Sequence, residues 1–336
     1  MQSLLVQLGW ISLALSAALC VGRAEADQPH RLPPVAWTTV PEPANLPEME
    51  LGGLVTASPN GGDVDAISIR PNFAELMRPT VSLAAEWQPE AGDVGMMWSQ
   101  ATLQMPTYPI FGPPPPMISG GLGYYRISAP EALDLPSELY DYSLGVSWIR
   151  PVSETWTLRV MASTALATDG HNTTNDSWQF RGGVFAMYRP NAEWTWIIGA
   201  LALGRNDLPV VPAVGAIWQP QPQLRFDLTF PRPRANYLLV DYGPRQQWGY
   251  LGAGFEGGTW GIERAGGLND QLTYRNWRVY LGWESIPTPP PGMPFARGRK
   301  LAVELGYIFA REFEFESGSP SLGIDDTLML RVTAGF

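Results

Sequence analysis

The chain has 336 residues, a formal net charge of −10 and only 16% charged residues, well below the roughly 25% of soluble domains. Apolar residues make up 45%, with 14 Trp, 12 Tyr, 12 Phe, 35 Gly and 33 Pro, a composition for many strands and turns and a poor one for a helical or α/β enzyme. No Lys/Arg cluster suits nucleic acid, and a single cysteine, Cys20, excludes a disulfide framework and a Cys-based metal site.

Residues 4–22 are apolar and are followed by Arg23 and then Ala24-Glu25-Ala26, an A-x-A cleavage pattern. Residues 1–26 therefore read as a secretory signal peptide, although no Lys or Arg precedes the apolar run. The competing reading, an N-terminal anchor, has a short core for a membrane span. A lipoprotein at Cys20 would want Leu three residues earlier, where Ala17 stands. Residues 27–50 are Pro-rich and aperiodic, a linker or tail. Residues 51–79 read as a periplasmic segment, a plug or a first strand. No later apolar stretch reaches 18 residues, so any further membrane crossing is made by strands.

Residues 80–336 predict an all-β domain, a transmembrane antiparallel up-and-down β-barrel. Segments of 9–14 residues alternate between an apolar and a polar or small face, with Pro, Gly, Asn and Asp between them. In 140–149 one face is Tyr140, Tyr142, Leu144, Val146 and Trp148; the other is Asp141, Ser143, Gly145, Ser147 and Ile149. In 301–315 the expected apolar face is Leu301, Val303, Leu305, Tyr307, Phe309, Phe313 and Phe315, interrupted by Arg311, with Glu304, Gly306, Glu312 and Glu314 opposite. Apolar side chains facing lipid, polar ones facing a lumen and aromatics at both interfaces is the outer-membrane pattern. Trp148, Trp156, Trp178, Trp194, Trp218, Trp248 and Trp283 fall near segment ends, where girdles would lie.

An aromatic followed shortly by Pro at Trp87–Pro89, Trp148–Pro151, Tyr188–Pro190 and Trp218–Pro220 predicts short periplasmic turns. Ala167–Asn175 and Ile286–Arg297 predict longer loops on the other side. About fifteen strands can be marked; taking Trp248–Arg264 as one long strand gives about 14, within 12–16. The last segment, 328–336, places Leu328, Leu330, Val332, Ala334 and the terminal Phe336 on one face. Phe336 is the expected signal to the barrel-insertion machinery.

The segments LPVVPAVGAIWQP (208–220), LRFDLTFPRPRANYLLV (224–240), YRNWRVYLGWE (274–284), LGYIFAREFEFESG (305–318) and DDTLMLRVTAGF (325–336) resemble an uncharacterised domain-of-unknown-function family of predicted bacterial outer-membrane barrels, associated mainly with planctomycetes. The resemblance covers most of residues 80–336. It implies a barrel and a location, and it transfers no functional residue.

Chemistry is sparse. The two histidines are His30, in the Pro-rich tail, and His171, in a loop with Asn and Asp neighbours. No G-x-S-x-G elbow, Walker loop or H-E-x-x-H motif is present. Asp325-Asp326 is a conceivable Ca²⁺ ligand pair, with a polar loop the simpler reading. Asn172-Thr173-Thr174 matches a glycosylation pattern without bacterial meaning, and Gly112–Pro116 reads as a stiff loop rather than a polyproline recognition segment. No catalytic, cofactor-binding or metal residue is assigned. Arg159, Arg181, Arg225, Asp227, Arg278, Glu284, Glu304 and Arg331 project to polar faces and are the candidate lumen-lining residues, for solute selection or for a salt-bridge network that fills the barrel. The expected function is a passive, porin-like channel. The alternatives are a non-conducting anchor barrel with a periplasmic partner and, further off, an outer-membrane hydrolase with His171 as base. Lipid and the insertion machinery are the expected partners.

Overall fold

The computed structural model describes residues 78–336 except 110–111, 113, 205–208, 289–297 and 319. The signal peptide, the Pro-rich tail and nearly all of the 51–79 segment, together with Cys20 and His30, lie outside the described residues, as do parts of the Gly112–Pro116 run and of the Ile286–Arg297 loop.

The strands are β1 (Thr80–Ala91), β2 (Val94–Pro106), β3 (Met117–Ser128), β4 (Glu138–Pro151), β5 (Trp156–Thr168), β6 (Trp178–Tyr188) and β7 (Trp194–Ala202). They continue as β8 (Val210–Gln221), β9 (Leu224–Thr229), β10 (Arg234–Asp241), β11 (Arg245–Arg264), β12 (Leu268–Pro287), β13 (Lys300–Phe315), β14 (Leu322–Ile324) and β15 (Thr327–Gly335). Each strand from β1 to β13 is antiparallel to the next; β13 pairs with β15 and β15 with β1. The result is a closed antiparallel up-and-down barrel of fourteen strands. The three-residue β14 lies against the far end of β13. Trp248–Arg264 does belong to one strand, the 20-residue β11.

The ring closes where the described chain begins and ends: Ser82 is opposite Gly335, and Val81 and Phe336 exchange backbone hydrogen bonds of 3.2 and 2.9 Å. We call this end the base and the opposite end the crown. The wall between them is uneven. β11 and β12 have 20 residues each, whereas β9 has 6 and β10 has 8. Above the short strands, β11 leans across and meets β5 in a parallel bridge at Gly261 and Thr168. Asp169 N–H donates to Gly261 O at 3.1 Å and Gln179 Nε2 to Thr259 O at 2.6 Å. The crown is therefore a smaller ring that leaves out β6–β10.

Lower down, the expected facing holds. Leu144, Leu228, Leu251, Leu281 and Leu305 are 50–65% exposed on the outside, while Asp141, Asp227, Glu284 and Glu304 on the same strands are buried. The outward row from Trp156 to Leu166 covers ten steps, about 33 Å along the strand and about 25 Å along the axis at a tilt near 40°. At the base, Trp156 stacks on Tyr188 (4.8 Å), and Trp194, Trp218 and Phe226 form a continuous stack at 5.4 and 5.2 Å. Trp248 is the exception among the expected girdle residues. It is 4% exposed and packs inside against Leu238 and Ile286.

Two expectations are corrected. First, Arg311, Phe313 and Phe315 are buried, whereas Glu312 and Glu314 pair with Arg275 on the outside. The cause is a bulge. Arg275 is opposite Glu312 but Trp277 is opposite Phe309, so β13 carries an extra residue at Ala310 (φ 49°). One inserted residue exchanges the two faces of everything beyond it. Second, the loops are not sorted by length. The 169–177 connection is at the crown, but the β2–β3 and β12–β13 connections leave from and return to strand ends at the base, where Thr288 N–H reaches Pro244 O in a base turn. Of the four aromatic–Pro markers, Trp87–Pro89 precedes the Gly92-Asp93 turn at the crown, and both turn residues have positive φ (55° and 62°), as a two-residue hairpin requires.

Candidate functional site

The barrel interior is the candidate site, and it is layered. The crown is filled by an apolar core: Val94, Leu139, Leu272 and Phe313 are 0% exposed, with Trp98, Tyr125, Trp260 and Tyr274 among their neighbours. These side chains come from β2, β3, β4, β11, β12 and β13, so they meet from all around the narrow ring. Tyr125 meets Trp260 edge-on at 4.9 Å, and Tyr274 lies 4.8 Å from Phe313.

Beneath the core lies a charge-paired layer. Glu86 on β1 is 2.8 Å from Arg278 on β12 and 2.6 Å from Arg331 on β15. Glu256 on β11 is held by Arg232, Arg278 and Arg331 at 2.7, 2.7 and 2.8 Å. Glu304 lies 3.7 Å from Arg232 and 3.8 Å from Arg331, and accepts from Tyr250 Oη at 3.0 Å. Three guanidinia thus face three carboxylates. Arg232 reaches this layer because the β9–β10 turn folds inward against β11: Ala253 N–H donates to Pro233 O and Phe255 N–H to Pro231 O. Glycine makes room beside it, since a Cβ at Gly252 would overlap the Tyr280 ring and one at Gly282 the Tyr250 ring.

Two smaller groups complete the polar interior. Asp227 accepts from Arg225 (2.7 Å), Arg234 (3.2 Å) and Asn236 (3.0 Å), with Glu284 3.5 Å from Arg234. Arg181 pairs with Asp141 at 2.6 Å and with Gln179 Oε1 at 2.7 Å. Of the residues singled out by sequence, Arg278, Glu304 and Arg331 meet in the central layer, and Arg225, Asp227 and Glu284 in the second group. Arg181 is in the third. Arg159 is buried lower on β5, apart from the central layer. Sequence reasoning missed Glu86, Glu256, Arg232 and Arg234. The doublet Ala84-Ala85 blurs the alternation before Glu86, glycines surround Glu256, and Pro231-Arg232-Pro233-Arg234 reads as a turn. The i, i+2 spacing of those two arginines was the available clue.

Below the charge layer, on the β1–β4 side, the inward side chains are small and polar. Ser82, Gln100, Gln104, Ser119, Ser143 and Ser147 keep partial exposure, which makes a wet vestibule at the base. Chemically the interior is quiet. Arginine does not release its proton, and each carboxylate of the central layer is engaged with guanidinia.

The remaining candidates lie outside the lumen. His171 is exposed; its backbone N–H donates to Asp169 Oδ1 at 2.9 Å. Its loop is welded to the crown, with Asn172 Nδ2 donating to Ile262 O (3.0 Å) and Asp169 Oδ2 accepting from Glu263 N–H (2.7 Å). Asn172 is thus a buried structural amide. Asp326 accepts from Tyr307 Oη at 2.8 Å and Ala310 N–H at 3.3 Å. Among the described residues no group of three or more His, Cys, Asp or Glu is placed to hold a metal. Asp134, in the β3–β4 loop, accepts from Ala265 N–H (3.1 Å) and Arg264 Nε (2.8 Å), and these bonds hold its carboxyl below the usual range.

Accessible charge is divided by end. At the crown stand Glu90, Asp93, Glu131, Asp134, Glu138 and Asp176, then Glu263, Glu312, Glu314, Glu316, Asp325 and Asp326, against Arg126, Arg264 and Arg275. At the base stand Arg78, Arg150, Arg189, Arg245, Arg299 and Lys300 against Glu154, Glu193 and Asp241.

The KdgM porin is 7% identical over 76% of this chain and 98% of its own, with a TM-score of 0.33. A bacterial polysaccharide outer membrane secretin is 8% identical over 77% and 97%, with a TM-score of 0.38. The β domain of the Bordetella autotransporter BrkA is 13% identical over 77% and 98%, with a TM-score of 0.34. The barrel itself is established by its own strand pairing. No curated protein matches the chain. Residues 127–249, from the end of β3 into β11, match the family model described as a domain of unknown function, DUF6268.

Proposed function

We propose that the chain is an outer-membrane, porin-like β-barrel whose lumen is shut, so that it acts as a non-conducting barrel, an anchor or assembly partner, rather than as a passive channel. One observation carries this reading: the crown holds an apolar core where an open pore would hold water. The charge-paired layer beneath adds a second closure. Its carboxylates and guanidinia are matched with one another, as they would be in a packed interior, rather than left to water and solute.

The apolar outer belt, about 25 Å tall, supports insertion in a bilayer. Secretion through the N-terminal signal segment and delivery to the outer membrane follow from the same reading. Phe336 supports recognition by the insertion machinery. It is 46% exposed and closes the outward row of Leu328, Leu330, Val332 and Ala334 on β15.

The test is conductance of the purified full chain in planar bilayers, after heat-modifiable gel mobility has shown a folded, inserted barrel. The expected result is no steady conductance. A stable ohmic current from the wild-type chain would overturn the sealed reading, and failure to insert would overturn the barrel reading.

A further inference from the structure

We infer that the base of the barrel is a collar for anionic phospholipid headgroups, and that this end sits in the leaflet that supplies them. The inference rests on the proposed membrane barrel and adds its lipid partner and its orientation.

Three observations meet at the base. The first is charge: among the described residues the accessible groups there are mainly cations, while those of the crown are mainly carboxylates. A uniformly acidic protein would not divide this way. The second is position. The cations stand at the level of the base aromatics, where headgroups would be. The Arg150 guanidinium lies 5.3 Å from the Trp148 ring, within cation–π range, so it is fixed beside an interfacial tryptophan. Arg189 follows Tyr188, which stacks on Trp156. The third is preorganisation. Arg245 donates to Ser285 Oγ at 2.9 and 3.2 Å and to Arg299 O at 2.9 Å, and this ties two base connections together and holds a cation at their rim. Arg189 N–H donates to Thr155 O at 2.8 Å and its Nε to Asn191 O at 3.3 Å.

Fixed guanidinia at headgroup height attract phosphate oxygens by their charge; Arg245, whose Nε, Nη1 and Nη2 already donate to Ser285 and Arg299, acts there as a fixed positive charge. Each basic residue near an anionic surface favours association by about fivefold at low salt, and the preference weakens as ionic strength rises. The acidic crown, by the same reasoning, is repelled from an anionic surface. The two ends therefore favour one orientation.

The experiment folds the full chain into vesicles of pure phosphatidylcholine and into vesicles containing phosphatidylglycerol. Lipids retained on the detergent-extracted barrel are then measured by native mass spectrometry. The wild type should retain phosphatidylglycerol in preference to phosphatidylcholine. The triple variant Arg150→Gln, Arg245→Gln, Lys300→Gln should lose most of that preference, by at least tenfold. A crown variant, Arg126→Gln, should leave it unchanged, and inorganic phosphate at millimolar concentration should not compete it away. Equal retention of both lipids by the folded wild type, or a triple variant that keeps the preference, would overturn the inference. So would competition by free phosphate. Failure of the wild type to insert in either vesicle would instead overturn the barrel reading. Should the triple variant fold poorly, Arg150→Gln alone, judged by heat-modifiable mobility, should lower the preference about fivefold; no change would count against the collar.

Discussion

The lower and upper halves of the same strands are built on opposite plans. On β12, Leu281, Val279 and Trp277 face out at 65, 44 and 45% exposure, while Arg278 and Glu284 face in at 2 and 8%. A few residues further on, Leu272 and Tyr274 face in at 0 and 3%, and Arg275 is outside. On β13 the switch falls at the Ala310 bulge, with Leu305 and Tyr307 outside below it and Phe313 and Phe315 inside above it. β3 follows suit: Ile118 and Leu122 are exposed, Tyr125 and Ile127 buried. On the proposed membrane reading the surroundings below the switch are hydrocarbon, which requires polar groups to be turned in and paired. Above it the solvent is water, and the strands obey the ordinary rule of greasy inside and polar outside. The crown has the facing of a water-soluble barrel and the lower half the facing proposed for a membrane barrel, without a break in the strands.

Matched substitutions on one outward face sharpen this contrast. Leu305→Arg, in the belt, should destabilise the inserted barrel by about 2–4 kcal/mol, as a cation facing mid-bilayer does. Glu314→Arg, on the same strand beyond the bulge, should cost under about 1 kcal/mol, since it loses only a half-exposed pair with Arg275. Urea unfolding in vesicles reads both; equal costs would break the comparison. A smaller effect concerns the crown alone. Because Asp134 is held below its usual pKa by Ala265 N–H and Arg264, its contribution is present above the unfolded-state value and is lost as pH falls through the folded one. Asp134→Asn should therefore loosen the β3–β4 loop at neutral pH, read as faster amide exchange at Ala265, and should erase the acid sensitivity of that exchange.

Much of the lower half was legible in the sequence because its strands alternate strictly between an apolar and a polar face, as in Tyr140–Ile149. Strand number was nearly legible, and the long β11 could be recognised as one strand despite Gly257-Gly258. The crown was not legible. Its faces follow the same two-residue period with the meaning of inside and outside exchanged, and a bulge that shifts phase by one residue leaves no composition signal. Hence alternation alone points Phe313 and Phe315 to lipid; Trp248, near the base, misleads for a different reason, since its segment-end position gives no sign that it packs inward against Leu238 and Ile286. The charge layer was half legible: Arg278, Glu304 and Arg331 sit in clean alternation, while Arg232 hides in a proline-rich turn that the fold tucks into the lumen.

The exchange of faces on β13 is measured most directly with single cysteines carrying spin labels at 303, 305, 312 and 314 in the barrel reconstituted in bilayers, with Cys20 replaced by Ser in the same chain. The predicted result is high accessibility to oxygen at 303 and 305 and high accessibility to a water-soluble nickel chelate at 312 and 314. Lipid-type accessibility at all four sites, or water-type at all four, would contradict the two-plan barrel.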